Sequence, residues 1–167
     1  MKKTRGFEVV EKAFRKHENV SIQLPIRGDS GSAGYDFFAN ETVTLEPGAK
    51  HLFWTDVKAY MQIDELLEVH IRSSLGVKYL LVLANGTGII DSSYYGNPGN
   101  DGNIGICLVN RGTQPVLIDQ GERIAQGIFK KYLIADDDQV LHQEREGGLV
   151  PVIVKYTNCF NSIRKGY

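Results

Sequence analysis

Leu67-Glu68-Val69-His70-Ile71-Arg72 alternates apolar and polar side chains without a break. A period of two sends one face of an extended chain into a core and the other towards water. The same pattern spreads outward from about Val20 onward. Thr42, Val43, Thr44 and Leu45 alternate and stop at Glu46-Pro47-Gly48, a turn signal. Lys78 to Ala84 is nearly continuous apolar, as a buried strand would be. Ile104, Ile106 and Leu108 alternate with Gly105, Cys107 and Val109. Val116 and Ile118 alternate again and end at the turn Asp119-Gln120-Gly121, and Arg123 to Leu133 reads as a long strand. Phe7 to His17 fits an amphipathic helix or an extended arm equally well. Short strands with closely spaced turns predict an all-β sandwich, barrel or jelly roll.

Composition narrows the function. The 167 residues suit one domain with a substantial core. The 18 Gly and 5 Pro match a chain rich in turns. Nineteen Lys plus Arg against twenty Asp plus Glu leave a net charge of −1, so no nucleic-acid or membrane-surface partner is expected. Lys130-Lys131 reads as a solvated strand end. No apolar run approaches the roughly 20 residues that span a bilayer. Glu8, Glu11 and Lys12 interrupt any signal-peptide core. Cys107 and Cys159 form no C-x-x-C pair and have no His at zinc spacing, so a reduced, cytoplasmic protein is expected, with Cys107 packed as a buried thiol. Asp136-Asp137-Asp138 is too compact for an EF-hand loop and reads as an exposed turn.

Four segments carry chemistry. Gly31-Ser32-Ala33-Gly34-Tyr35-Asp36 joins small residues to an aromatic and an acid; it is either a strand entry or a place where Asp36 orders a ligand or water. Arg72-Ser73-Ser74-Leu75-Gly76 ends a strand with a guanidinium fork and two hydroxyls, suited to phosphate oxygens or to a plain exposed turn. Asn85-Gly86 is a preferred hairpin turn. A hairpin there would bring the Asn85 amide, the Asp91 carboxylate and the Tyr94 ring close together. That set could read a base and a sugar while activating water. Ile89 and Ile90 should partly desolvate Asp91 and make it a better base. Gly121-Glu122-Arg123-Ile124-Ala125-Gln126 opens a strand, and the Gln126 amide could donate to a phosphate.

In order and spacing these segments resemble the trimeric deoxyuridine triphosphate nucleotidohydrolases (dUTPases) over about Phe7 to Leu149. Ser32–Asp36, Arg72–Gly76, Gly88–Gly96 and Gly121–Gln126 are similar to the first four of the family's five motifs. The loop Asn97–Asn103 is similar to an insert of bacterial and phage members from low-GC Gram-positive hosts. The resemblance implies a distorted jelly roll of the β-clip type, a homotrimer with three interfacial sites, and residues 1–143 as the β domain. It implies hydrolysis of dUTP to dUMP and pyrophosphate by magnesium-assisted attack of water on the α-phosphorus. By position, Asp91 would orient that water. Asn85 and the hairpin backbone, Gly88 included, up to Asp91 would read the uracil edge, and Tyr94 would lie against the deoxyribose and exclude a ribose 2′-hydroxyl. Arg72, Ser73, Ser74 and Gln126 would hold the triphosphate, Arg145 would open the C-terminal arm, and Asp36 would support the site. Mg2+ would be held by phosphates and water, with no direct side-chain ligand.

The match departs in two places. Ser93 stands where many relatives carry a second Asp. More seriously, the fifth motif, of the type Arg-x-x-Gly-Gly-Phe-Gly-Ser-Ser/Thr-Gly, starts at Arg145-Glu146-Gly147-Gly148 and then becomes Leu149-Val150-Pro151-Val152. Residues 144–167 are thus an atypical arm whose order is left open, as is the level of activity. The alternatives are a catalytically weak nucleotide-binding or regulatory module with a protein partner, as in some phage members, and a relative of the dCTP deaminases. The latter need a Glu in the hairpin region, and none follows Asp91 before Gly96. The arm is either ordinary divergence or a new extension, or, by hypothesis, the product of one lost base: TTT-GGT-TCC-AGT encodes Phe-Gly-Ser-Ser, and without one T it reads Leu-Val-Pro-Val. The hypothesis of a frameshift predicts that restoring one base after the Gly148 codon recovers Phe-Gly-Ser and a nearby stop; sequencing the gene tests it, and any other reading frame there sinks it.

Overall fold

A computed structural model describes residues 3–140; Arg145, Cys159 and the rest of the atypical arm lie outside the described residues. The chain begins with β1 (Gly6–Val9), a single 3-10 turn (Lys12–Phe14), β2 (Ile26–Arg27), β3 (Tyr35–Phe38) and β4 (Val43–Leu45). It continues through β5 (Lys50–Trp54), β6 (Val57–Tyr60), β7 (Glu65–Ile71), the helix α1 (Ser73–Tyr79) and β8 (Leu81–Leu83). The last strands are β9 (Gly88–Asp91), β10 (Gly105–Asn110), β11 (Val116–Ile118) and β12 (Arg123–Lys131). All pairings are antiparallel. They form one five-stranded sheet in the order β2-β3-β12-β7-β9, a three-stranded sheet β5-β10-β8, and the pairs β1-β6 and β11-β4.

The alternation seen in the sequence fills the space between these sheets. Leu67 and Val69 of β7 meet Ile106 and Leu108 of β10 in one core with Phe37, Phe53, Ile118 and Ile124. All are at most 3% exposed. The turn after β4 is as read: the Ala49 amide donates to Glu46 O, and Gly48 takes the positive φ that glycine tolerates. Asp136 to Asp138 are exposed.

Three readings are resolved or corrected. Phe7 to His17 is extended first and then makes one 3-10 turn. Lys78 to Ala84 is not one buried strand. It is the end of α1, a left-handed residue at Leu80, and a three-residue strand. The Arg72 carbonyl accepts the Leu75 and Gly76 amides and starts the helix, so the apolar run is split between two elements. Val77 and Leu80 remain exposed. The expected hairpin at Asn85-Gly86 also fails as a ladder: β8 pairs with β10, while β9 pairs with β7.

Arg5 and Glu65 fasten the N-terminal strand to the main sheet. Glu65 is buried and accepts from Arg5 Nε at 3.1 Å and from the Gln62 amide at 3.1 Å. Chiefly the Arg5 hydrogen bond holds its carboxyl below the ordinary 4.5. The unfolded chain therefore binds the proton more readily, and the pair's contribution is present above that ordinary value and lost as pH falls through the lowered one. Glu65→Ala should cost about 1–3 kcal/mol in urea unfolding at pH 7, with the difference from the unaltered chain shrinking in acid. A constant difference across that range would rule out this role.

Candidate active site

Strand β12 brings three of the four chemical segments together because it pairs on both edges. Gln126 lies opposite Asp36 of β3 on one side and His70 of β7 on the other. Asp36 is 7% exposed. Its Oδ1 is 3.2 Å from Arg72 Nε, and its Oδ2 is 3.3 Å from Arg123 Nη1. One buried carboxylate thus orients two guanidinium groups, and a buried charge paired twice is far less costly than one left alone. Ser73 and Ser74 are exposed in the first turn of α1, beside Arg72. Gln126 lies across Gly34, where an added Cβ would come within 2.5 Å of Gln126 Oε1. Glycine there makes room for the amide side chain.

A second cluster lies between the sheets. Asn85, Gly88 and Ile90 face Ile106 and Cys107 of β10 across a cleft floored by Val69. The cleft exists because β8 and β9 belong to different sheets and splay apart after Asn85-Gly86. Partial burial pushes the Cys107 thiol upward. Cys107 is accordingly a wall of this cleft, not the fully packed thiol expected. Asp91 ends β9 and is exposed in the protomer, so Ile89 and Ile90 do not desolvate it as expected. Tyr94 follows in a 3-10 turn and is 5% exposed. Its hydroxyl donates to Asn103 O at 2.9 Å and accepts from Asn100 Nδ2 at 2.6 Å. What Tyr94 can offer a ligand is therefore ring, not hydroxyl.

The two clusters are separate within one chain. Asp91 pairs with Leu66, whereas Asp36 lies at the level of His70 and three strands away. The offset is roughly 13 Å along the strands and roughly 14 Å across them. Asp91 is therefore remote from Gln126 and Asp36 of the same protomer.

The family model described as dUTPase matches residues 20–148. The chain belongs to the dUTPase family. Deoxyuridine 5'-triphosphate nucleotidohydrolase of Lactococcus lactis subsp. lactis (strain IL1403) is 45% identical over 147 residues, 87% of this chain and 95% of that protein. The crystal structure of dUTPase from Streptococcus mutans matches with a TM-score of 0.68 and 41% identity, covering 78% of this chain and 98% of that one. The Staphylococcus bacteriophage 80alpha dUTPase matches with a TM-score of 0.64 and 26% identity, covering 85% and 99%. These findings support the all-β dUTPase fold and dUTP diphosphatase activity. The family match stops at residue 148, where the resemblance to the fifth motif also breaks. Among the described residues, no helix is long and apolar enough to cross a membrane.

Sequence reasoning missed Arg123 as the second partner of Asp36, and Ile106 and Cys107 as cleft walls. Their roles come from cross-strand pairing, which a linear pattern does not contain. For this dUTPase, Asp36→Ala should release both guanidinium groups, and Gly34→Ala should push Gln126 aside. Each should weaken binding of dUTP about tenfold or more. Isothermal titration calorimetry checks this; unchanged affinity in both variants would remove Asp36 and Gly34 from the phosphate side of the site.

Proposed function

We propose that this dUTPase binds its substrate between protomers, in a homotrimer. The observation that carries this reading is the separation of Asp91 from the Asp36–Arg72–Gln126 group. One protomer supplies Arg72, Ser73, Ser74 and Gln126 to the triphosphate. A neighbour supplies the cleft of Asn85 and Gly88, with Tyr94 and Asp91. The Asn85 amide and the backbone from Gly88 to Asp91 read the uracil edge, and the Tyr94 ring rests against the deoxyribose.

The chemistry is then positioning plus one base. Asp91 orients a water and accepts its proton as the oxygen attacks the α-phosphorus. The bond to the bridging oxygen breaks, and pyrophosphate leaves. Arg72 and the donors beside it balance the charge that develops on the phosphates. Among the described residues, no three His, Cys, Asp or Glu side chains are grouped to hold a metal. Asp36 is already engaged by two arginines. This donor set fits Mg2+ held by phosphates and water, since Mg2+ keeps much of its hydration and favours phosphate oxygens. When bound, Mg2+ supplies charge neutralisation and orients the triphosphate. No side chain is assigned to it as a ligand.

The atypical arm, residues 144–167, sets the level of activity. A closing segment excludes water and completes a site. Pro151 lacks the N–H that a phosphate-wrapping segment would use, and no aromatic follows Gly148 in the motif position. Turnover is therefore weak while nucleotide binding is partly kept, and Arg145 alone does not restore the clamp. A purely regulatory module with a protein partner has less support, because Asp91 is present and the relatives are named for hydrolysis. Because Cys107 and Cys159 form no C-x-x-C pair in the sequence, the cytoplasm is the compartment proposed.

Pyrophosphate release from dUTP with Mg2+ tests the reading. Asp91→Asn should lower kcat by about 10²–10⁴-fold with little change in dUTP affinity. Replacing the arm through Leu149→Phe, Val150→Gly, Pro151→Ser and Val152→Ser should raise kcat about a hundredfold. No pyrophosphate from the repaired chain would overturn the assignment, and turnover in the unrepaired chain equal to the repaired one would overturn the role given to the arm.

A further inference from the structure

The loop from Asn97 to Asn103 is built more firmly than a surface insert requires. Asp101 is buried and takes both carboxylate oxygens to Lys58 Nζ, at 2.7 and 2.9 Å. Its Oδ2 also accepts the Glu11 amide at 2.8 Å. Asn103 is fully buried and exchanges two hydrogen bonds with Asp56: Nδ2 donates to Asp56 Oδ1 at 2.8 Å, and the Asp56 amide donates to Asn103 Oδ1 at 3.0 Å. Within the loop, the Asp101 amide donates to Asn97 O at 2.6 Å, and the Asn97 amide donates back to Tyr94 O at 3.2 Å. Gly102, at a φ of 78°, passes so close beneath Tyr94 that an added Cβ would lie 2.6 Å from Tyr94 O. A side chain there would meet backbone that cannot give way.

Two residues of this loop meet one hydroxyl. Tyr94 Oη donates to the Asn103 carbonyl and accepts from Asn100 Nδ2. The Asn100 side chain is itself oriented, because its Oδ1 accepts the Gly102 amide at 3.1 Å and leaves Nδ2 pointing at the phenol. We propose that Asn100 is a positioning residue for sugar discrimination: through the Tyr94 hydroxyl it sets the tilt and depth of the Tyr94 ring, and the buried Lys58–Asp101 pair holds the loop that presents it. The inference rests on the reading of Tyr94 as the ring that lies against the deoxyribose and excludes a ribose 2′-hydroxyl. A ring held rigidly at one depth leaves room for C2′ bearing hydrogen and none for a 2′-hydroxyl. A ring free to settle deeper admits both, since a contact of this kind discriminates only when neither partner can retreat. Asp56 and Lys58, far from the nucleotide in sequence, thereby bear on its selection.

The test is the ratio of dissociation constants for UMP and dUMP, measured by titration calorimetry on the full chain. A merely structural role would weaken both ligands together and leave the ratio alone. Asn100→Ala should lower the ratio about tenfold, mainly by tightening UMP, as loss of one hydrogen bond on the phenol allows. Tyr94→Phe, which keeps the ring, should lower it similarly. The double variant should fall no further than either single one, because both remove the same constraint. Should Asn100→Ala prove too unstable to measure, Asn100→Ser carries the same expectation. An unchanged ratio in the Asn100 variants, with a lowered one in Tyr94→Phe, overturns the inference and keeps the reading of Tyr94. An unchanged ratio in Tyr94→Ala removes that reading, and the inference with it.

Discussion

The double-sided pairing of β12 is the constraint on which the rest of the structure depends. A strand hydrogen-bonded on both edges has little freedom of register, because a one-residue slip would turn its buried side chains outward. The register with β3 shifts once, between Arg123 and Ala125, and beyond that shift Ala125 and Gly127 are buried while Gln126 lies in line with Asp36 and His70. That line brings together segments nearly a hundred residues apart in sequence. It also gives Asp36 its two arginines, since Arg72 leaves the end of β7 and Arg123 the start of β12 on either side of the same carboxylate.

The same sheet keeps the second half of the site at a distance. Strand β9 pairs with the far edge of β7, and its last residue, Asp91, sits opposite Leu66. The cleft of Asn85 and Gly88 opens on this sheet because β8 and β9 are claimed by different sheets. Under the proposed function, that separation is the physical reason for protomers to assemble. Loop 97–103 fits this economy: it spends the buried Lys58–Asp101 ion pair and the buried Asn103 on the underside of a single tyrosine. Buried polar groups of that kind are costly unless every partner is in place, and they fix one geometry when it is.

Much of the strand framework was legible from period-two alternation. Leu67, Val69, Ile104, Ile106 and Leu108 are buried as that pattern requires. The failures share one cause. Lys78 to Ala84 is apolar enough for a strand, but the Arg72 carbonyl captures two amides and winds its first half into a helix. Asn85-Gly86 has the local chemistry of a hairpin turn, but the competition for β8 and β9 is settled by β10 and β7. Local propensity proposes, and long-range pairing overrides it.

By itself the sequence determined the all-β class, the residue types and spacing of four chemical segments, and the point after Gly148 where the fifth departs. These are properties of composition and order along the chain. Only the tertiary structure decided that Arg123 shares Asp36 with Arg72, that Cys107 walls the cleft, and that Tyr94 turns its hydroxyl inward to Asn100 and Asn103. It also decided that Asp91 lies far from Asp36 and Gln126 within one chain. Each of these depends on which strand edges meet and in what register, and that is set by the burial of the whole core at once rather than by any segment read alone.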